Sequence, residues 1–198
     1  MLLSTPPPTG PSLEQIRDAK LPEFYKMWTV IHGLLKDPVR GPETVRTLKS
    51  HGAEVWSYQC QRYMQRRNLL GYLRFYPWEC YLMKLDGMAL YTMFTPEGED
   101  GWDSRDGYDE GLCWRGNDKK PVPTKRLEAL REGLEDVAYM NRLEKELARL
   151  KAQGMTFAQY EKLLAERKAV IKSLSQKKVD EWRLMTGRAI DDLVRKGK

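Results

Sequence analysis

Two short runs constrain this fold most: AEVWSYQC at residues 53–60 and DGMALYTMF at residues 86–94. Both are rich in the β-branched, aromatic and long apolar residues that suit a pleated surface. The first follows a helical pattern, GPETVRTLKSHG, in which Gly52 is a natural stop. The second opens on an Asp-Gly turn. A helical stretch over roughly residues 69–85, interrupted around Pro77, lies between them. Near-continuous apolar strands separated by helices point to parallel strands covered on both faces. Only two or three such β/α units are visible, and so few parallel strands leave long open edges. The pattern is that of the end of a larger α/β structure.

The flanking segments are read around these two strands. Residues 1–11 are proline-rich and extended, and Ser12 can cap a short helix from Leu13. After Pro22 the run EFYKMWTVIHGLLKD is expected to be helical, with Phe24, Trp28, Ile31 and Leu35 along one face. Residues 95–123 form a long Gly- and Asp-rich loop holding Trp102 and Trp114, of a length that is usually functional or disordered. The next segment, PTKRLEALREGLEDVAYM, predicts an amphipathic helix reaching about Lys151 and ending at Gly154. Its apolar stripe is Leu127, Leu130, Leu134 and Val137, and Arg131 is spaced to pair with Glu128 and Glu135. Arg126 sits in the first turn, where acids are preferred, so a loop acid such as Asp103 or Asp106 is expected beside it. The remaining residues keep helical spacing to the end. These readings divide the chain at residues 1–22, 23–150 and 151–198.

Composition narrows the function classes. The 198 residues carry a formal net charge of +6, but the basic residues are scattered among acids. Only QRYMQRRN (residues 61–68) and the Lys-rich tail are concentrated, so neither nucleic acid nor membrane is the expected partner. Three cysteines, Cys60, Cys80 and Cys113, do not make a disulfide framework. His32 and His51 are the two histidines and neither is near a cysteine in sequence, so no zinc site is expected. No cofactor is implied. No apolar run reaches membrane-spanning length. The opening MLLSTPPPTG lacks a charged n-region and a sufficient apolar stretch for a signal peptide, so the chain as written is expected in the cytoplasm.

The ordered runs VWSYQC, PWECYLMKLDGMALYTMF and PVPTKRLEALREGLEDVAYM, spread over about residues 55–150, resemble the C-terminal part of glycoside hydrolase family 123 and its wider relatives, the group of domain of unknown function 4091. The helix segment is the most specific of the three. The resemblance implies an α/β fold: the C-terminal portion of a TIM-like (β/α)8 barrel, mostly helical here with few parallel strands, plus a helical C-terminal tail. It implies a glycosidase acting on N-acetylgalactosamine-containing glycans by substrate-assisted retention, an exception to the ordinary two-carboxylate scheme. In that chemistry an adjacent Asp-Glu pair orients the acetamido group and supplies the general acid. The family's pair lies upstream of the matched part, and the partner implied is a missing N-terminal barrel half. Asp109-Glu110 and Glu135-Asp136 do not follow strand ends, so neither pair takes the catalytic roles, and no catalytic residue is assigned.

Barrel sites lie at the carboxyl ends of the strands. That rule makes Tyr58 and Tyr91 the first candidates for sugar contact, with Trp102 and Asp103 from the loop and Trp114 as a pocket wall. Tyr91 stands where the family usually has tryptophan. On one strand Trp56, Tyr58 and Cys60 share a face, and Ser57 and Gln59 share the other. Two rival readings remain: a non-catalytic carbohydrate-binding module, and a basic helical interaction or nucleic-acid-binding protein using residues 61–68 and the tail.

Overall fold

The computed structural model describes residues 2–3, 25–60, 68–91, 93, 111–116, 118 and 120–197. The described chain is mostly helical, with a few parallel strands in an open sheet. It forms two compact units, Met1–Arg66 with Glu79–Thr124, and Arg67–Trp78 with Lys125–Lys198.

The first unit holds the sheet. Strands β1 (Leu2–Leu3), β2 (Met27–Ile31), β3 (Glu54–Cys60) and β4 (Gly87–Tyr91) pair in parallel, in the order β1-β2-β3-β4. Helices α1 (His32–Leu35) and α2 (Arg40–Ser50) join β2 to β3. Gly52, at φ 72°, ends α2 in the left-handed region that glycine adopts without a Cβ penalty. Trp28, Val30, Leu35, Leu48, Ala53 and Val55 form the core, and Leu34, Val45, Met83 and Leu85 pack on it. Residues from both crossovers thus cover the same face of the sheet. Asp86 pins the start of two strands: its Oδ2 accepts from the Val55 amide at 2.8 Å and its Oδ1 from Lys49 Nζ at 3.0 Å.

The segment expected to be a helix from residue 23 onward is instead β2 followed by the short α1. Trp28 and Val30 are buried while Thr29 and Ile31 are half-buried, so the period is two. The β-branched run Thr29-Val30-Ile31 suits that alternation, and pairing with β3 decides between it and the helical spacing. Phe24 lies outside the described residues. A second departure lies in the long loop: β5 (Cys113–Arg115) and β6 (Pro121–Pro123) pair as an antiparallel two-stranded sheet. The helix expected to break at Pro77 does not. A π-helical turn at Leu70–Arg74, begun by Asn68 Oδ1 accepting from the amides of Leu70 and Gly71, leads into α3 (Phe75–Leu82), which runs through Pro77. The wider turn precedes the proline, whose missing N–H and bulky ring disrupt regular i→i−4 bonding.

The second unit is helical: α4 (Lys125–Ala152), α5 (Ala158–Ala165), α6 (Arg167–Ser173) and α7 (Gln176–Lys196), together with the π turn and the first residues of α3. Ser175 caps α7, its side chain accepting from the Lys178 amide. Trp78 and Trp182 meet at 4.9 Å between ring centroids, and Leu73, Met140 and Leu143 of the same unit are also buried. The expected leucine stripe of α4 is not its deepest face. Leu134 is 49% exposed, whereas Gly133, Asp136, Met140, Leu143 and Leu150 are buried. Arg131 pairs with Glu128 and Glu135 as the spacing predicts. Arg126 is buried, and both loop acids expected beside it lie outside the described residues. No described helix is long and apolar enough to cross a membrane.

Candidate functional site

The carboxyl edge of the parallel sheet presents two chemically different faces. Its register aligns Ile31 with Tyr58, Tyr58 with Ala89, and Cys60 with Tyr91. Paired residues of parallel strands share a face. Positions 29, 31, 56, 58, 87, 89 and 91 therefore lie on the side away from the apolar core. Large and small residues alternate across this face. A Cβ at Gly87 would stand 2.4 Å from the Trp56 ring, so the indole lies across the bare backbone of β4. Trp56 Nε1 donates to Glu54 Oε2 at 3.3 Å. Trp56 and Tyr58 are half-buried, which leaves part of each aromatic surface open. Rings of this kind present a negative face to the slightly positive C–H groups of a sugar.

Tyr58 and Tyr91, expected at this edge, do occupy strand positions on one face of it. Trp114 is half-buried on the separate β5–β6 sheet. Trp102 and Asp103 lie outside the described residues, as does most of the basic run at residues 61–68.

The opposite face carries a polar relay that sequence reading did not find. His32 directly follows β2 and is buried. Its Nδ1 meets Ser57 Oγ at 2.9 Å and its Nε2 meets Glu79 Oε2 at 2.7 Å. Lys36 Nζ donates to the second Glu79 oxygen at 2.7 Å. Burial pushes the Glu79 carboxyl up, but the hydrogen bonds from His32 and Lys36 outweigh it and hold the group below the usual carboxylate range. Nε2 therefore carries a proton and donates to a carboxylate, and Nδ1 exchanges a hydrogen bond with the serine hydroxyl. Serine, histidine and carboxylate in this order resemble a nucleophile with its base and orienting acid. Ser57, however, is fully buried beneath the helix-covered face, where no substrate atom reaches Oγ. The relay acts as a lock joining β2, β3 and α3. Gln59, two residues on from Ser57 along the same face, is buried, and its Oε1 has no hydrogen-bond partner among the described residues.

The sign of the pH effect follows from Glu79. Its folded-state value lies below the ordinary 4.5, so its stabilising contribution is full above that pH and disappears as pH falls through the folded value. Glu79→Gln is expected to cost about 1–3 kcal/mol at neutral pH. It should also flatten the acid limb of the stability curve. Urea denaturation at a series of pH values checks both, and an unchanged acid limb would count against the lock.

One sequence signal could have exposed the relay: a rare histidine directly after a β-branched run. Reading that run as a helix hid it. The chain matches no protein-family model, and a search of curated proteins finds no match.

Proposed function

We propose that this chain is the C-terminal portion of a glycosidase-like (β/α) barrel of the N-acetylhexosaminidase type, which holds glycan at the carboxyl ends of its parallel strands. One observation carries the reading: a parallel sheet in chain order whose helices cover one face while Trp56 and Tyr58 stand half-open on the other. Parallel crossovers are right-handed, so strands laid down in order without a reversal collect their helices on one side. A doubly wound sheet reverses its order and covers both sides. A sheet that keeps its order satisfies the bare face by curling into a barrel, which takes eight strands. The four described parallel strands are, in this reading, one part of such a barrel.

In this reading Tyr58 and Tyr91 contact the sugar from the strand ends, with Trp102, Asp103 and Trp114 contributed from the following loop. The chain supplies binding surface and no catalyst. Asp136, of the Glu135-Asp136 pair, is fully buried and engaged by Arg74, Arg183 and Trp78, which fits the view that this pair takes no part in hydrolysis. In the intact enzyme the acetamido oxygen of the sugar would attack the anomeric carbon as the glycosidic C–O bond breaks. The Asp of an Asp-Glu pair from the complementary half would orient the acetamido group, and the Glu would give its proton to the leaving oxygen.

The test compares this chain with a longer form that includes the complementary half, using a chromogenic N-acetyl-β-galactosaminide. Hydrolysis by the longer form and none by this chain is the expected result. Tyr58→Ala in the longer form should lower kcat/KM at least tenfold, equivalent to roughly 1.4 kcal/mol of lost transition-state binding. Hydrolysis that ignores this substitution, or binding without hydrolysis in both forms, would contradict the proposal.

A further inference from the structure

We propose that the groove between α4 and α7 is a second glycan subsite, shaped for a neutral, hydroxyl-rich sugar ring. It rests on the helical unit alone and not on the barrel reading. The groove has a volume of about 600 Å³, within the range of small-ligand sites. Tyr139 of α4 lines one side, and Leu184, Gly187, Arg188 and Asp191 of α7 line the other. Its polar groups are available. Arg183, which also reaches the groove, is held by Asp136, but Arg188, Asp191 and the Tyr139 hydroxyl have no partner among the described residues.

The chemistry of these groups selects the ligand. Arg188 and Asp191 have opposite charge and stand about one helical turn apart, so together they give no net field to draw a polyanion or a polycation. A guanidinium and a carboxylate can instead donate to and accept from neighbouring hydroxyls. Tyr139 is 38% exposed and supplies an aromatic surface for the C–H side of a sugar ring. Gly187 keeps that surface clear: a Cβ added there would already touch Tyr139 Cε1 at 3.5 Å. Leu184, 56% exposed, adds an apolar contact on the same wall.

Methyl N-acetyl-β-galactosaminide and cellobiose, titrated into the whole chain and followed by amide NMR shifts, test the site. Saturable shifts at Leu184, Gly187 and Arg188 are expected from at least one of them. Tyr139→Ala and Gly187→Leu should each weaken this binding tenfold or more. Gly187→Leu also replaces a poor helix former, so it tests occlusion of the groove in a folded protein. Tyr58→Ala should leave these shifts unchanged. No saturable shift from either sugar, or binding indifferent to Gly187→Leu, overturns the subsite. Loss of the α7 shifts with retention of Tyr58-dependent ones removes the groove alone, and the reverse removes the strand-edge site alone.

Discussion

Replacing Asp136 by alanine is expected to lower the unfolding free energy by about 3–5 kcal/mol, the usual cost of removing one partner from a buried ionic cluster. Asp136 is fully buried, and its oxygens accept from Arg74 Nε at 2.9 Å, Trp78 Nε1 at 3.1 Å and Arg183 Nε at 2.5 Å. Arg183 continues to the Glu132 carbonyl at 2.7 Å, so one guanidinium joins α7 to α4. Alanine leaves the fully buried indole N–H without its acceptor, while Arg183, partly exposed, keeps the Glu132 carbonyl and Glu135. Glu132 and Asp180 still reach Arg74 Nη1, so that guanidinium keeps partners. Asparagine should be nearly as harmful, because its amide turns a donor toward groups that only donate. Urea denaturation followed by tryptophan fluorescence gives the measurement. Arg131→Ala on the exposed side of the same helix is the control, and it should leave the midpoint unchanged even though Arg131 holds two acids. Equal effects at Asp136 and Arg131 would refute this ranking of buried over exposed charge.

The second large effect is expected at Gly133, and its sign opposes helix propensity. Alanine in a helix interior is favoured over glycine by about 1 kcal/mol. Here a Cβ would stand 2.1 Å from the Arg74 carbonyl oxygen, far inside contact distance and against backbone, which cannot rotate away. Gly133→Ala should therefore destabilise by about 1–3 kcal/mol, and Gly133→Val by more. The close approach also explains how Arg74, at the end of the π turn, comes within reach of Asp136 three residues further along α4. The thermal midpoints of the two variants give the check. A rise with alanine would mean that α4 and the π turn can separate without cost.

Much of the architecture was legible in sequence where pattern and turn chemistry agreed. The strands at residues 54–60 and 87–91, the stop at Gly52 and the end of α4 before Gly154 follow from residue type alone. β2 was not legible, because Trp28, Ile31 and Leu35 fit a helical face as well as Trp28 and Val30 fit a strand. Parallel pairing on β3 decides that case, and such pairing is long-range. β5 and β6 have three residues each, too short to show a period.

The same limit explains the polar clusters. His32 lies 25 residues from Ser57 and 47 from Glu79, and Asp136 lies 62 from Arg74. Nothing in EGLEDV separates the buried acid from its exposed neighbours. Its partners are distant in sequence, and only folding brings them together. Tyr58 and Tyr91 were expected as contacts from the rule that function gathers at strand carboxyl ends, and the register puts both positions on one face. The clear face around Trp56 depends on Gly87 of the neighbouring strand, and one strand alone cannot reveal that.

The most direct measurement of the central claim is an amide NMR titration of this chain with an N-acetylgalactosamine-containing disaccharide, mapped residue by residue. Glycan held at the strand ends should shift Ile31, Tyr58, Ala89 and Leu90 in a saturable manner, and Tyr58→Ala should abolish those shifts while the buried Ser57 and His32 pair remains intact. Saturation with no change at these four residues, or shifts that survive Tyr58→Ala, would contradict a glycosidase-like strand edge.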